Sequence, residues 1–304
     1  MNTHDTTPAP GDRRCSATQR VASRADRWQL RSMELRFATV PRLMAIINVT
    51  PDSFSDGGRF LEASAAIEQG LKLVEQGADI LDIGGESSRP YSTPVSESEE
   101  LRRVMPVVQA LCEQTRVPVS IDTSKAKVAA EAIAAGAQII NDVSGLQGDA
   151  AMPALAAHTK VGVCIMHMQG TPQTMQDNPQ YRDVVQDIHD YLRQRRDHLV
   201  QQGLNASRIC LDPGIGFGKT HEHNLALLAN CGRYHSLGCP LLVGHSRKGF
   251  IARELGDKQA DRTAATIGIS LALARQGIQI LRVHQVLPIK QALHLFAVSG
   301  GLGV

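Results

Sequence analysis

Aromatic residues are scarce in this chain: one Trp, four Tyr and six Phe make up 4% of its 304 residues. Stacking platforms for single-stranded nucleic acid are therefore poorly supplied. Charge of one sign is lacking too. A formal net charge of +2 leaves no large field for a polyanion or an anionic membrane surface. No apolar run approaches the roughly 18 residues that a membrane-spanning helix needs. Six cysteines are present, but none has a C-x-x-C partner, and Cys164 in VGVCIM and Cys210 in RICLD sit inside apolar runs. They read as buried small hydrophobes in a reducing compartment, not as a disulfide framework or a zinc site. Residues 1–38 have no apolar core of a secretory leader and mix arginines with Asp5, Asp12, Asp26 and Glu34. That stretch reads as a poorly ordered extension, 39–304 as a single domain, and the chain as cytoplasmic, with no nucleic-acid or membrane partner.

The rest of the chain alternates. Short runs rich in Ile and Val stand at 43–47, 79–83, 118–121, 137–140, 161–166, 208–211, 240–243 and 278–283, each too short for a helix. Their near-continuous apolarity predicts a parallel sheet covered on both faces. Between them lie segments of helical character, at 61–77, 181–202, 221–230 and 261–276 among others. Ser96 with Glu99 forms a capping box that opens another helix, and Pro106 is expected to bend or divide that helix. Gly77, Gly136, Gly203 and Gly277 fall where C-caps belong. Eight strand–helix units predict an α/β fold, a single (β/α)₈ TIM barrel, with a doubly wound open sheet as the alternative. Two connections, 48–60 and 166–180, are long enough to be functional loops.

Barrel enzymes carry their chemistry at the C-terminal ends of the strands. In chain order those ends hold Asn48, Asp82 with Glu86, Asp122, Asn141 with Asp142, His167, Asp212, His245 with Ser246, and Arg282 with His284. At one strand an Asp is commonly a helix N-cap; at eight strands the residues converge on one mouth. Asp82, Asp122, Asn141 and Asp212 suit a donor-rich neutral heterocycle, since a carboxylate accepts a pair of N–H groups strongly. Arg89, Arg247, Lys248, Arg282 and His284 suit an anion, a phosphate being the natural fit. Other motifs fail. In PGIGFGKT (213–220) the first P-loop glycine falls on Pro213, leaving Lys219 and Thr220 a weak phosphate signal. HEHNL (221–225) is not a zinc-binding H-E-x-x-H and reads as a helix start, and no G-x-S-x-G elbow exists.

The segments NVTPDSFSDGG (48–58), DIGGESSRP (82–90), SIDTSK (120–125), IINDVSG (139–145), MHMQGTP (166–172), LDPGIGFGK (211–219), VGHSRKGF (243–250) and RVH (282–284) resemble the dihydropteroate synthase family, in order and from about Leu43 to His284. The resemblance implies a transferase of folate biosynthesis and a sulfonamide target. It would join p-aminobenzoate to 6-hydroxymethyl-7,8-dihydropterin diphosphate, releasing diphosphate. By the same resemblance Asp122, Asn141, Asp212 and Lys248 grip the pterin, Asp82 supports Asp122, and Met166 and Phe217 line the ring. Arg282 stacks on the pterin and, with Asn48, Arg89 and His284, holds diphosphate. Asn48 is the protein ligand for Mg²⁺. Phe54, Ser88, Pro90, Ser246 and Lys248 form the p-aminobenzoate side, and Asp122, Lys248, Arg282 and Asp56 are the catalytic set.

This chain departs from the family pattern at Ser88, His245 and Gln285, where Thr, Met and Asp are usual. Its apolar C-terminal segment LPIKQALHLFAVSGGLGV reads as a cover for the barrel bottom or part of a homodimer interface. Two other readings use the same residues: a pterin-binding methyltransferase domain, and a non-catalytic pterin-binding paralogue.

Overall fold

In the computed structural model, which describes residues 24–50 and 59–302, the eight apolar runs become eight parallel strands. A short antiparallel hairpin, β1 (Arg27–Gln29) with β2 (Glu34–Arg36), precedes them. The barrel strands are β3 (Arg42–Asn48), β4 (Ile80–Gly84), β5 (Val119–Asp122), β6 (Ile139–Asp142), β7 (Gly162–Met166), β8 (Ile209–Asp212), β9 (Leu242–Val243) and β10 (Ile280–Val283). They are ordered β8-β7-β6-β5-β4-β3-β10-β9. A parallel bridge from Leu211 to Leu241 joins the two ends of that order, so the sheet closes into a barrel and the open-sheet alternative is excluded.

Helices cover the outside: α1 (Arg59–Glu75), α2 (Glu97–Gln114), α3 (Ala126–Ala134), α4 (Met152–Thr159), α5 (Val184–Gln201), α6 (His221–Asn230), α7 (Gly249–Glu254), α8 (Thr263–Arg275) and α9 (Val286–Val298). The glycines at the four expected C-caps take φ of 92, 118, 96 and 76°, the left-handed conformation that ends a helix. Pro106 neither bends α2 into two helices nor ends it. It lies on the exposed face, where the carbonyl it leaves without an N–H partner can be hydrated. Only half of the capping box forms. Ser96 Oγ accepts from the Glu99 amide, at 3.2 Å, but the Glu99 carboxylate turns to Arg102 and Arg103 instead.

The boundary expected at residue 38 moves. Residues 1–23 lie outside the described residues, but 24–37 pack under the barrel. Trp28, Leu30, Leu35 and Phe37 cluster with Met44, Ile80, Ile139, Cys164, Cys210, Leu242 and Ile280, one residue from each of seven barrel strands. The Trp28 indole N–H donates to the Arg208 carbonyl at 2.8 Å. The hairpin thus closes the bottom of the barrel, and α9 packs along its side against α8 and β3. Leu295 and Val298 of α9 remain exposed. Cys164 and Cys210 are buried free thiols, as their apolar surroundings imply.

Trp28 is 0% exposed, so Trp28→Ala removes the largest side chain of this plug and leaves a cavity and an unpaired carbonyl. The expected loss is about 3–5 kcal/mol, read from the midpoint of chemical denaturation. A loss below about 1 kcal/mol would fit only a surface site and would contradict the plug.

Candidate active site

Strand register builds the site. Asn48 pairs with Gly84, Gly84 with Asp122, and Asp122 with Asn141. Four successive strands therefore end level on one rim, and Met166 pairs with Asp212 farther round it. Arg282, on β10, reaches inward past β3. Its Nε donates to Asp82 Oδ2 at 2.6 Å, and one terminal nitrogen donates to Asp122 Oδ2 at 2.5 Å. Asn141 Nδ2 donates to the same Asp82 oxygen at 3.0 Å. Asp82 is 0% exposed, so its charge is held by two donors inside the barrel.

Burial governs the electrostatics. It raises Asp122 to about 7; the Arg282 charge pulls the other way, while Asp82, Glu100 and Asp142 add to the rise. Burial also works against the Arg282 cation, but Asp82 and Asp122 outweigh it and raise its pKa further. Asp212 is raised by burial, offset by the Gly214 amide, Lys248 and Arg282. Lys248 is lowered to about 7 by burial, despite Asp212 and Asp122. Its ammonium donates to the Ile215 carbonyl and lies 4.2 Å from the centroid of the Phe217 ring, within cation–π range. Arg247, just before it, has φ of 56°, an uncommon conformation for a residue with a Cβ.

His284 is lowered to about 4, first by burial and then by the charges of Arg282, Arg247, Arg89 and Lys248. Its Nδ1 lies 3.1 Å from Ser246 Oγ, so Ser246 adjoins this cationic corner. Ser88 is partly buried, and Arg89 and Pro90 are exposed on the loop after β4. That loop is tied to the long loop after β7. Tyr91 N donates to the Pro172 carbonyl at 3.0 Å and Gln173 Nε2 to the Ser92 carbonyl at 3.1 Å. Phe54 and Asp56 lie outside the described residues.

Three strand-end residues turn away from this chemistry. Asp142 accepts from Ser144 N, Ser144 Oγ and Leu146 N, an Asx-type turn. Glu86 is ion-paired with Lys125, which also holds the buried Glu100. His245 is buried, with Nε2 2.9 Å from Ser270 Oγ and 3.2 Å from the Thr266 carbonyl. It fixes α8 to the barrel, which accounts for a polar residue buried at this position.

Lys219, weak as a phosphate signal, is 2% exposed and turned inward. Its Nζ is 3.0 Å from His167 Nδ1, 3.3 Å from the His167 carbonyl and 2.7 Å from the Phe217 carbonyl. The pair was not legible in the sequence, where 52 residues separate its members. Thr220 caps α6 by accepting from His223 N at 3.2 Å. HEHNL thus opens a helix, as its pattern implied. Among the described residues no three His, Cys, Asp or Glu side chains are gathered to cage a metal, and no helix is long and apolar enough to cross a membrane.

Comparison with known proteins extends this picture. The pterin-binding enzyme family matches residues 44–284. Dihydropteroate synthase of Escherichia coli (strain K12) is 44% identical over 246 residues, covering 81% of this chain and 87% of that protein. The fold superposes on the solved Xanthomonas albilineans dihydropteroate synthase with 4-aminobenzoic acid with a TM-score of 0.84 at 42% identity, covering 90% of this chain and 98% of that one. For the Xanthomonas albilineans dihydropteroate synthase in complex with 7,8-dihydropteroate, the TM-score is 0.80 at 40% identity, with 90% and 98% covered.

Proposed function

This chain belongs to the dihydropteroate synthases of the pterin-binding enzyme family, and we propose that it joins 6-hydroxymethyl-7,8-dihydropterin diphosphate to p-aminobenzoate, yielding 7,8-dihydropteroate and diphosphate. One arrangement carries the reading: an acidic wall of buried Asp82 and Asp212 and partly buried Asp122, with buried Asn141, is bridged by Arg282, and the charges of Arg282, Arg247, Arg89 and Lys248 all bear on a neighbouring corner at His284. The wall matches a heterocycle rich in N–H donors, and the corner matches diphosphate. Arg282 belongs to both. Of the five N–H groups of a guanidinium, two are spent on Asp82 and Asp122, and the remainder can meet phosphate oxygens.

In this proposal Asn141, Asp212 and Lys248 take the polar edge of the pterin, with Met166 and Phe217 against its faces. Asn48, at the rim, offers one amide oxygen, which fits an ion that keeps most of its shell in phosphate and water oxygens. Asn48 would hold Mg²⁺, whose chemistry when bound is to withdraw charge from the leaving group. Arg282, Arg89 and His284 bind the departing diphosphate. The C–O bond breaks first, its electron pair leaving with diphosphate, and the electron-rich pterin ring carries the resulting positive charge. Asp122, as carboxylate, stabilises that cation. The arylamine, seated on the Ser88, Pro90 and Ser246 side, attacks the exocyclic methylene, its nitrogen lone pair forming the C–N bond, and gives up a proton to solvent. In the same proposal Phe54 contacts p-aminobenzoate and Asp56 helps position its amine.

The test is diphosphate release by the purified protein given the pterin diphosphate, p-aminobenzoate and Mg²⁺. Release that requires all three, with pteroate formed in equal amount, is the expected result. Pterin binding without release would instead mark a non-catalytic binder, and methyl transfer from a methylated folate would mark the methyltransferase alternative.

A further inference from the structure

The turn 213–219, between β8 and α6, is held by side chains along its whole length. Asp212 Oδ1 accepts from Gly214 N at 2.7 Å, and Asn224 Oδ1 accepts from Gly216 N at 2.6 Å. Four successive carbonyls then each meet a different donor. Lys248 takes that of Ile215, Gln176 that of Gly216 at 2.8 Å, Lys219 that of Phe217 at 2.7 Å, and Tyr181 that of Gly218 at 2.7 Å. Gly214, at φ 70°, lies so close to the end of β7 that a Cβ would stand 2.0 Å from the His167 carbonyl. The turn is therefore pressed against that strand end, and Lys219 fills the space between them.

Lys219 is costly to bury. Desolvation and the charge of Lys248 push its ammonium well below the ordinary lysine range, against the charge of Asp212, and among the described residues its Nζ has two carbonyls and the ring nitrogen as hydrogen-bond partners. Three acceptors are what an ammonium with three N–H groups needs. Burial, reinforced by the Lys219 charge, lowers His167 to about 2, so its ring is neutral, and the tautomer with its proton on Nε2 leaves Nδ1 to accept from Lys219. The ring itself is wedged edge-on to Tyr191, with centroids 4.7 Å apart.

We infer that Lys219 and His167 are positioning residues of the pterin pocket: their buried contact fixes the turn that carries the Phe217 ring and the Ile215 carbonyl, and through both it aims Lys248. The inference rests on the pterin reading above for what Lys248 and Phe217 bind, but not for the fastening itself. A loosened turn releases both supports of Lys248 together. Lys219→Met keeps the length of the side chain and removes its donors. It is expected to weaken binding of 6-hydroxymethylpterin, measured by calorimetry, by about tenfold or more, the scale of leaving buried acceptors unmet. Amides of 214–219 should exchange with deuterium faster by a similar factor, about tenfold. At saturating pterin diphosphate the KM for p-aminobenzoate should stay within about twofold, because the lost interaction belongs to the other substrate.

His167→Ala and His167→Asn give the same answer should Lys219→Met fail to fold. The Asn Oδ1 replaces the accepting ring nitrogen and should restore pterin affinity that the Ala variant loses. Pterin binding unchanged in Lys219→Met, or equal loss in the Ala and Asn variants, overturns the inference. If the parent protein itself binds no pterin, the functional reading fails. The exchange rates of 214–219 still decide whether the pair fastens the turn, and unchanged rates in the variants refute it.

Discussion

Arg282→Met should lower kcat/KM about a thousandfold, at the upper end of what a lost transition-state donor costs, and should destabilise the fold as well. The guanidinium is the only cation bonded to Asp82 and Asp122 among the described residues. Removing one partner of a buried ion pair typically costs about 3–5 kcal/mol, because the remaining charge stays desolvated. Here two carboxylates would be left. Asp122 already titrates near about 7, with Arg282 restraining its rise, so the substitution pushes it higher. A carboxyl whose folded pKa exceeds its unfolded value retains a proton that the unfolded chain gives up, and stability falls as pH rises through that window. In the parent the window for Asp122 ends near about 7; without Arg282 it extends upward. The variant's Tm deficit should therefore be larger at pH ~8 than at pH ~5. Adding Asp82→Asn should return part of the stability and none of the activity. A deficit that does not change with pH would mean that Arg282 acts by packing alone.

Much of this site was legible before any coordinates. A strand in a barrel has fixed inward and outward faces, and parallel register places successive strand ends on one rim. The polar residues at or near the end of each apolar run were therefore a fair proxy for the mouth: Asn48, Asp122 and Asp212 end their strands, and Asp82, Asn141 and Arg282 stand one or two residues before the end of theirs. The proxy fails where a polar side chain serves its own loop, as Asp142 does, or the core, as His245 does; direction along the chain does not distinguish these. The hairpin escaped because strands of three residues carry no readable periodicity. Lys219 escaped for another reason. Motif reading asks which ligand a glycine-rich turn cradles, whereas this turn is itself cradled, by donors drawn from positions 176 to 248. Such contacts depend on closure of the whole barrel and leave no local pattern.

Asp122→Asn isolates charge from shape, and it should lower kcat by about 10²-fold, the size of effect expected when one group aimed at developing charge is lost. Pterin affinity should change by no more than about threefold, since uniform binding and transition-state stabilisation separate in this way. The amide keeps an oxygen that can accept from Arg282, so the guanidinium retains its direction and Asp82 keeps its partner. What disappears is the negative charge that would face the pterin cation after diphosphate departs. The same substitution removes a like charge next to Asp82, one of the causes that raise Asp122, so the fold should not be weakened. A pH profile supplies the second readout. If the carboxylate of Asp122 is the active form, kcat/KM of the parent should rise with pH through about 7, because the free-enzyme profile reports the group's own titration. In Asp122→Asn that limb should vanish while a reduced, pH-independent rate remains. An unchanged kcat, or an acid limb that persists in the variant, would remove Asp122 from the mechanism and assign stabilisation of the cation to Asp82 or Asp212.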